Sequence, residues 1–173
     1  MATQTDPEND IIGRYVDCAS RLQMVIQGLA ESELDLAETG GGWTIREYIH
    51  HMTDGDDIWK SFIKRALGSP QGAFMLDWYW QIPQVEWGKA WRYAEREIEP
   101  SLALLAASRA HVAQLLRANC GSLDNQMAMG MPDGNEQQVS IREIVEMQTR
   151  HIEGHTADIQ RILAAHQTQK SAG

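Results

Sequence analysis

Several features that would point this chain of 173 residues toward a membrane, a nucleic acid or an oxidising compartment are scarce or missing. Its two cysteines, Cys18 and Cys120, are too few for a disulfide framework and share no C-x-x-C spacing, which suits a reducing compartment. Lys and Arg number 15 against 24 Asp and Glu, a net charge of −9. No basic run is long enough to track phosphates, so nucleic acid and anionic membrane surfaces are poor partners. Nowhere do about 18 apolar residues run together, as a membrane span requires. Residues 1–10 have neither the basic nor the apolar segment of a leader, and the expected location is the cytoplasm. The phosphate-cradling and nucleophile-elbow patterns G-x-x-x-x-G-K-[ST], G-x-G-x-x-G and G-x-S-x-G are absent, and the triple glycine at 40–42 has no lysine behind it. With 14 Gly and 5 Pro against 43% hydrophobic residues, collagen-like and low-complexity classes are excluded. One domain over 1–173 is expected, with frayed tails at about 1–9 and 167–173.

What is present is helical periodicity. Ile11, Ile12, Tyr15, Ala19, Leu22, Ile26 and Leu29 form one stripe and predict a first helix from about Asp10 to Ala30. Thr44-Ile45-Arg46-Glu47 is a capping box, in which the Thr and Glu side chains satisfy orphan amides reciprocally. It opens a second helix that stops at Gly68-Ser69-Pro70. A third begins near Pro100 and ends at Gly121, and a second box, Ser140-Ile141-Arg142-Glu143, opens the fourth. No comparable stretch alternates as a half-buried strand does. The predicted class is therefore all-α, a four-helix bundle with a long Trp-rich connection between helices 2 and 3 and a Met-rich loop over Asn125–Gln138. A connection of that length is either functional or a lid packed by its own aromatics, and Trp78, Trp80, Trp87 and Trp91 are read as packing anchors.

Six histidines occur, at 50, 51, 111, 151, 155 and 166. Projection at roughly 100° per residue places His51, His151 and His155 inside the apolar arcs of their helices and His50 on a polar face with Asp57 and Ser61. His151 and His155 stand one turn apart, so both imidazoles can reach one cation, with His51 as the third donor. Three buried imidazoles would otherwise each need a separate polar partner. In His151-Ile152-Glu153-Gly154-His155 the glutamate lies roughly 200° round the helix from either histidine, which disfavours zincin-type chemistry. His111 also projects inward and is read first as a hydrogen-bonded core histidine, with a fourth ligand or support for the ligands as the alternatives. Asp54 and Asp158, each three residues past a histidine, are either surface carboxylates, the commoner outcome, or groups that orient an imidazole or contact the metal. Glu47 is assigned to capping, and Cys18 to packing as a small hydrophobe.

Gly42-Trp43-Thr44-Ile45-Arg46-Glu47-Tyr48-Ile49-His50-His51-Met52-Thr53-Asp54 resembles the W-[ST]-x-[RK]-E-x-x-x-H-x-x-[DE] signature of the DinB-like (YfiT-like) metalloenzyme superfamily. Arg150-His151-Ile152-Glu153-Gly154-His155 resembles the signature's second half. The resemblance spans most of the chain. It implies a four-helix bundle, a homodimer, and a divalent ion, nickel or zinc, on His51, His151 and His155. It also implies catalysis with a low-molecular-weight thiol such as bacillithiol or mycothiol. His50 departs from the family pattern and leaves a ligand switch from His51 to His50 open. The expected function is a metal-dependent, thiol-dependent S-transferase acting on small electrophiles. The alternatives are a metal-dependent hydrolase of a small molecule and a non-catalytic bundle that binds a metal or small molecule.

Overall fold

The structure, a computed structural model, describes residues 7–172, with the side chains of 171 and 172 left aside. Four long helices carry the architecture: α1 (Pro7–Ile26), α3 (Ile45–Gly68), α6 (Ile98–Ala118) and α7 (Ile141–Ala172). One-turn α2 (Glu31–Leu34) lies between the first two, and the short α4 (Asp77–Trp80) and α5 (Gln84–Ala90) lie between α3 and α6. Strands β1 (Gln126–Gly130) and β2 (Glu136–Ser140) precede α7. Among the described residues, no helix is long and apolar enough to cross a membrane.

Both capping boxes form. Thr44 N–H donates to Glu47 at 2.8 Å while Glu47 N–H donates to Thr44 Oγ1 at 3.2 Å, and Ser140 and Glu143 repeat the exchange at 2.7 and 3.2 Å. They fix where α3 and α7 begin, and hence the rotation of every later residue on those helices. α1 packs on α6 and α7, and α3 packs on the same two. Helices α1 and α3 therefore occupy opposite corners of the bundle, and the long connections allow the chain to cross the diagonal. One cluster of apolar side chains, around Tyr15, Phe62, Val112 and Val145, fills one part of the interior. A second, around Leu22, Ile49, Leu105 and Ile159, fills the rest.

Several boundaries differ from the sequence reading. Pro7 opens α1, a position where its missing N–H costs nothing. The helix ends at Ile26 rather than Ala30 because Gly28 turns the chain at φ 81°. Residues 7–9 and 167–172, expected to fray, are helical; the Gln and Lys there are good helix formers, and Thr168 Oγ1 donates to Ala164 O at 3.0 Å. The rest of the expected tails, 1–6 and 173, lies outside the described residues. The Met-rich loop is an antiparallel hairpin in register Met127↔Val139 and Met129↔Gln137, with Met127 and Met129 buried on one face. Phe74 extends it, exchanging backbone hydrogen bonds with Ala128 and Gly130 at 2.7 and 3.0 Å. The Trp-rich connection is thereby tied to the hairpin, and Trp80, Trp87 and Trp91 pack on the core as expected, while Trp78 is exposed.

Candidate metal centre

His51 lies in the second turn of α3, and His151 and His155 lie on successive turns of α7, which packs against α3. The three rings meet edge to face, their centroids 4.8 Å (His51 to His151), 5.2 Å (His51 to His155) and 4.6 Å (His151 to His155) apart. One nitrogen from each falls within 4.8 Å of the others. His51 is buried and the two α7 rings are half-buried, so the cluster stands at the edge of the core with a route to solvent. Trp43, set just before the α3 cap, covers His51 at 4.3 Å, and Tyr48 lies 4.9 Å from His155.

The electrostatics favour neutral His51 and His151 rings. Burial, followed by the neighbouring His151 and His155, lowers the His51 pKa to about 2; burial, followed by His155 and Arg109, lowers that of His151 to about 4. A neutral imidazole carries one N–H and one lone pair, so one of two facing rings can donate to the other. His51 Nε2 and His151 Nε2 share a hydrogen bond at 2.9 Å, and buried His151 Nδ1 has no partner among the described residues. Zinc–nitrogen bonds of about 2.0–2.1 Å place tetrahedral ligands roughly 3.3 Å apart. That spacing falls between the closest approach and the 4.8 Å outer limit, so the donor set fits a divalent cation.

Asp158 supports the third ring. His155 Nδ1 donates to Asp158 Oδ2 at 2.9 Å, which fixes the tautomer and leaves Nε2 with its lone pair. Arg161 donates to the other Asp158 oxygen at 2.6 Å. Partial burial alone would raise the Asp158 pKa, but the bonds from His155 and Arg161 outweigh it and the carboxylate sits below its usual range. Glu153 points away, bridging α7 to Arg14 and Arg21 of α1 at 3.2 and 3.1 Å, as its position in the helix predicts.

Three candidates are placed elsewhere. His50 is fully buried, with Nδ1 2.8 Å from Ser101 Oγ and Nε2 3.1 Å from the Arg96 carbonyl, so neither nitrogen is available for a ligand switch. The face read as polar is covered by α6 and by the segment leading into it. Asp54 is held by Arg96 at 2.9 Å and by the Tyr93 hydroxyl, not by His51. His111 is exposed, contrary to its inward projection: the buried stripe of α6 runs through Ser101, Leu105, Ser108, Arg109, Val112 and Leu116, and His111 falls on the same outer face as Leu104, which is 42% exposed.

Sequence reasoning also passed over several participants. Trp43 and Tyr48 flank the rings, although both lie within the quoted motif. Arg109, four residues after Leu105 and three before Val112, is a charge inside an apolar stripe, the signal that would have flagged it. A cavity of about 250 Å³ opens beside the triad, shared by His51 and His151 with Trp59, Tyr79, Trp80 and Gln148.

The comparisons agree with this architecture. The DinB superfamily profile matches residues 14–159. A Geobacillus thermodenitrificans protein is 27% identical over 138 residues, covering 80% of this chain and 74% of its own; an Oceanobacillus iheyensis protein is 26% identical over 151 residues, covering 87% and 83%. Both carry the description "Putative metal-dependent hydrolase". Among solved structures, YfiT from Bacillus subtilis, described as a probable metal-dependent hydrolase with an unusual four-helix bundle topology, superposes with TM-score 0.76 at 19% identity over 94% of this chain and 90% of its own. A mycothiol-dependent maleylpyruvate isomerase superposes with TM-score 0.65 at 14% identity over 89% of this chain and 61% of its own. The chain belongs to the DinB superfamily.

Proposed function

We propose that His51, His151 and His155 hold one divalent cation, with nickel and zinc as the leading candidates, and that the protein is a metal-dependent enzyme acting on a small molecule. The observation that carries this is the meeting of three imidazoles that, among the described residues, bond each other and, for His155, Asp158, with buried His151 Nδ1 left unmet. Three protein donors leave a tetrahedral cation one position short, as in catalytic rather than structural sites. A cation bound there supplies Lewis acidity, lowering the pKa of a thiol or water that reaches it.

The residues around the site do the rest. Asp158 keeps the His155 Nδ1 proton in place, and Trp43 and Tyr48 limit solvent around the rings. Among the described residues, the carboxylate touching the triad is Asp158, which is already engaged by His155 and Arg161. This favours a nucleophile that needs no protein base. Our first reading is thiol transfer: bacillithiol, mycothiol or a similar thiol loses its proton to solvent and its sulfur bonds to an electrophilic carbon. The leaving group departs with the electron pair of the broken bond. Similarity in fold to a mycothiol-dependent enzyme supports it. Hydrolysis, with water in place of the thiol, is the second reading, supported by the descriptions of the relatives.

Elemental analysis of protein purified without a metal-affinity tag should return about one cation per chain, and His155→Ala should return none. A panel of thiols and electrophiles then separates the readings. Cation-dependent thiol loss supports transfer, turnover without thiol supports hydrolysis, and neither across a broad panel overturns the enzyme reading in favour of a binding module.

A further inference from the structure

We propose that Arg109 is a positioning residue for the metal centre: its guanidinium joins Asp56 of α3 to the Gln148 carbonyl of α7 and so sets how far apart the His51 and His151 rings stand. Its role toward a cation rests on the reading above; its setting of the ring separation does not.

Three observations meet at this residue. First, its place. Asp56 follows His51 by five residues on α3, and Gln148 precedes His151 by three on α7, so both attachment points lie within about a turn and a half of a ligand ring. A single nitrogen, Arg109 Nη2, donates to Asp56 Oδ1 at 2.7 Å and to Gln148 O at 3.0 Å, while Nε adds a second bond to Asp56 Oδ1 at 3.0 Å. A helical carbonyl already accepts from the amide four residues on, and this bond takes the second lone pair of Gln148 O. The turn from which His151 springs is therefore held from outside its own helix. Second, its completeness. A guanidinium has five N–H donors, and five bonds leave this one, the other two running from Nη1 to Tyr15 O and to Cys18 Sγ, each at 2.7 Å. Both Arg109 and Asp56 are buried, so the fork has no slack and no water to turn to.

Third, the two helices are close at this level. Gly55, beside Asp56, presents no side chain to α7, and an added Cβ would lie 3.7 Å from His151 Cε1, in van der Waals contact. The α3 backbone thus stands against the ring of one ligand in the same turn that Arg109 ties to α7. Stability alone does not require a charge here, since a well-packed apolar pair of similar volume often serves as well or better. A metal site does require one fixed geometry: ligand bonds tolerate about 0.2 Å, and a shift of about half an ångström spoils the donor set. A rigid fork spanning the two helices supplies that, whereas a lysine ammonium, a point charge on a flexible stem, does not.

The test compares the wild-type chain with three variants. Arg109→Met combined with Asp56→Leu replaces the pair by apolar side chains, Arg109→Lys keeps the charge without the fork, and Leu116→Ala is a core truncation about two turns further along α6. Each is followed by denaturant unfolding, by the imidazole nitrogen NMR signals of the metal-free chain, and by titration with cobalt(II), read by visible absorption and chelator competition. In both Arg109 variants the His51 and His151 signals should move, and the cobalt affinity of the folded chain should fall at least about tenfold with an altered spectrum. Leu116→Ala should unfold more easily yet keep wild-type ring signals and affinity. Ring signals unchanged in both Arg109 variants, affinity unchanged where the wild type binds cobalt, or equal losses in Leu116→Ala would overturn the proposal. A wild-type chain that takes up no cobalt, while the rings move in the Arg109 variants, would refute the metal centre and leave the positioning of the two rings standing.

Discussion

Two polar clusters are buried along α3, one turn apart, and they are built in opposite ways. Around Asp56, every strong group is spent. The Arg109 guanidinium places Nε and Nη2 on Asp56 Oδ1 at 3.0 and 2.7 Å, Nη1 on the Tyr15 carbonyl at 2.7 Å and Nη2 on the Gln148 carbonyl at 3.0 Å, and it lies 4.1 Å over the Tyr15 ring. That cluster joins α1, α3, α6 and α7 in one network. Around His51 the groups are underused: two rings share one hydrogen bond, and among the described residues His151 Nδ1, the Trp80 indole N–H and the Gln148 amide oxygen are buried and unmet. A saturated network locks the bundle together, whereas an unsaturated one leaves bonding capacity for something that arrives later.

The comparison breaks most decisively at Arg109. Removing one partner of a buried ion pair strands the other, so Arg109→Ala should lose about 3–5 kcal/mol in denaturant unfolding, more than any single histidine variant of the metal-free protein. If His151→Ala costs as much without metal, the triad is structural and the contrast fails.

Acid should act on the other cluster. In metal-free protein the folded pKa values of His51 and His151, about 2 and about 4, lie below the ordinary 6.5 of the unfolded chain. Between these limits the unfolded state binds protons that the folded rings refuse. Stability contributed by the neutral rings is thus present above about pH 6.5 and lost as pH falls toward 4, at up to about 1.4 kcal/mol per pH unit for each ring. Unfolding midpoints followed from pH 7 to pH 4.5 should show this slope, and His151→Ala should flatten it.

A smaller effect is expected from Asp158→Asn, which keeps the shape but weakens the hold on His155 Nδ1. Cation affinity, measured by competition with a chelator, should fall about 10–100-fold while unfolding of the metal-free protein barely moves. Smallest is Gly55→Ala, which should raise the stability of the metal-free protein by about 0.5–1 kcal/mol through helix propensity alone. A loss of stability instead would show that the glycine serves packing.

Much of this was legible in the sequence because its signals are local. Each capping box fixes a helix start within four residues, and from that start the phase of His51, His151 and His155 follows by rotation. What could not be read depends on which element covers which face. The polar neighbours of His50 on α3 are covered by α6 and the segment before it, and the face of α6 that carries His111 and Leu104 is exposed although it bears apolar residues. The hairpin escaped because five-residue strands give too few alternations to stand out, although Met127 and Met129 do alternate with Gln126 and Ala128. Diagonal placement of α1 and α3 has no local signature at all.

That the three rings are drawn from residue 51 and from residues 151 and 155 has a consequence for biosynthesis. A nascent polypeptide halted before residue 141 carries one imidazole of the three and lacks an entire corner of the bundle. The three-histidine cluster therefore comes into being only after the rest of the scaffold has been translated and α7 has docked, so unfinished chains leaving the ribosome cannot display all three imidazoles together.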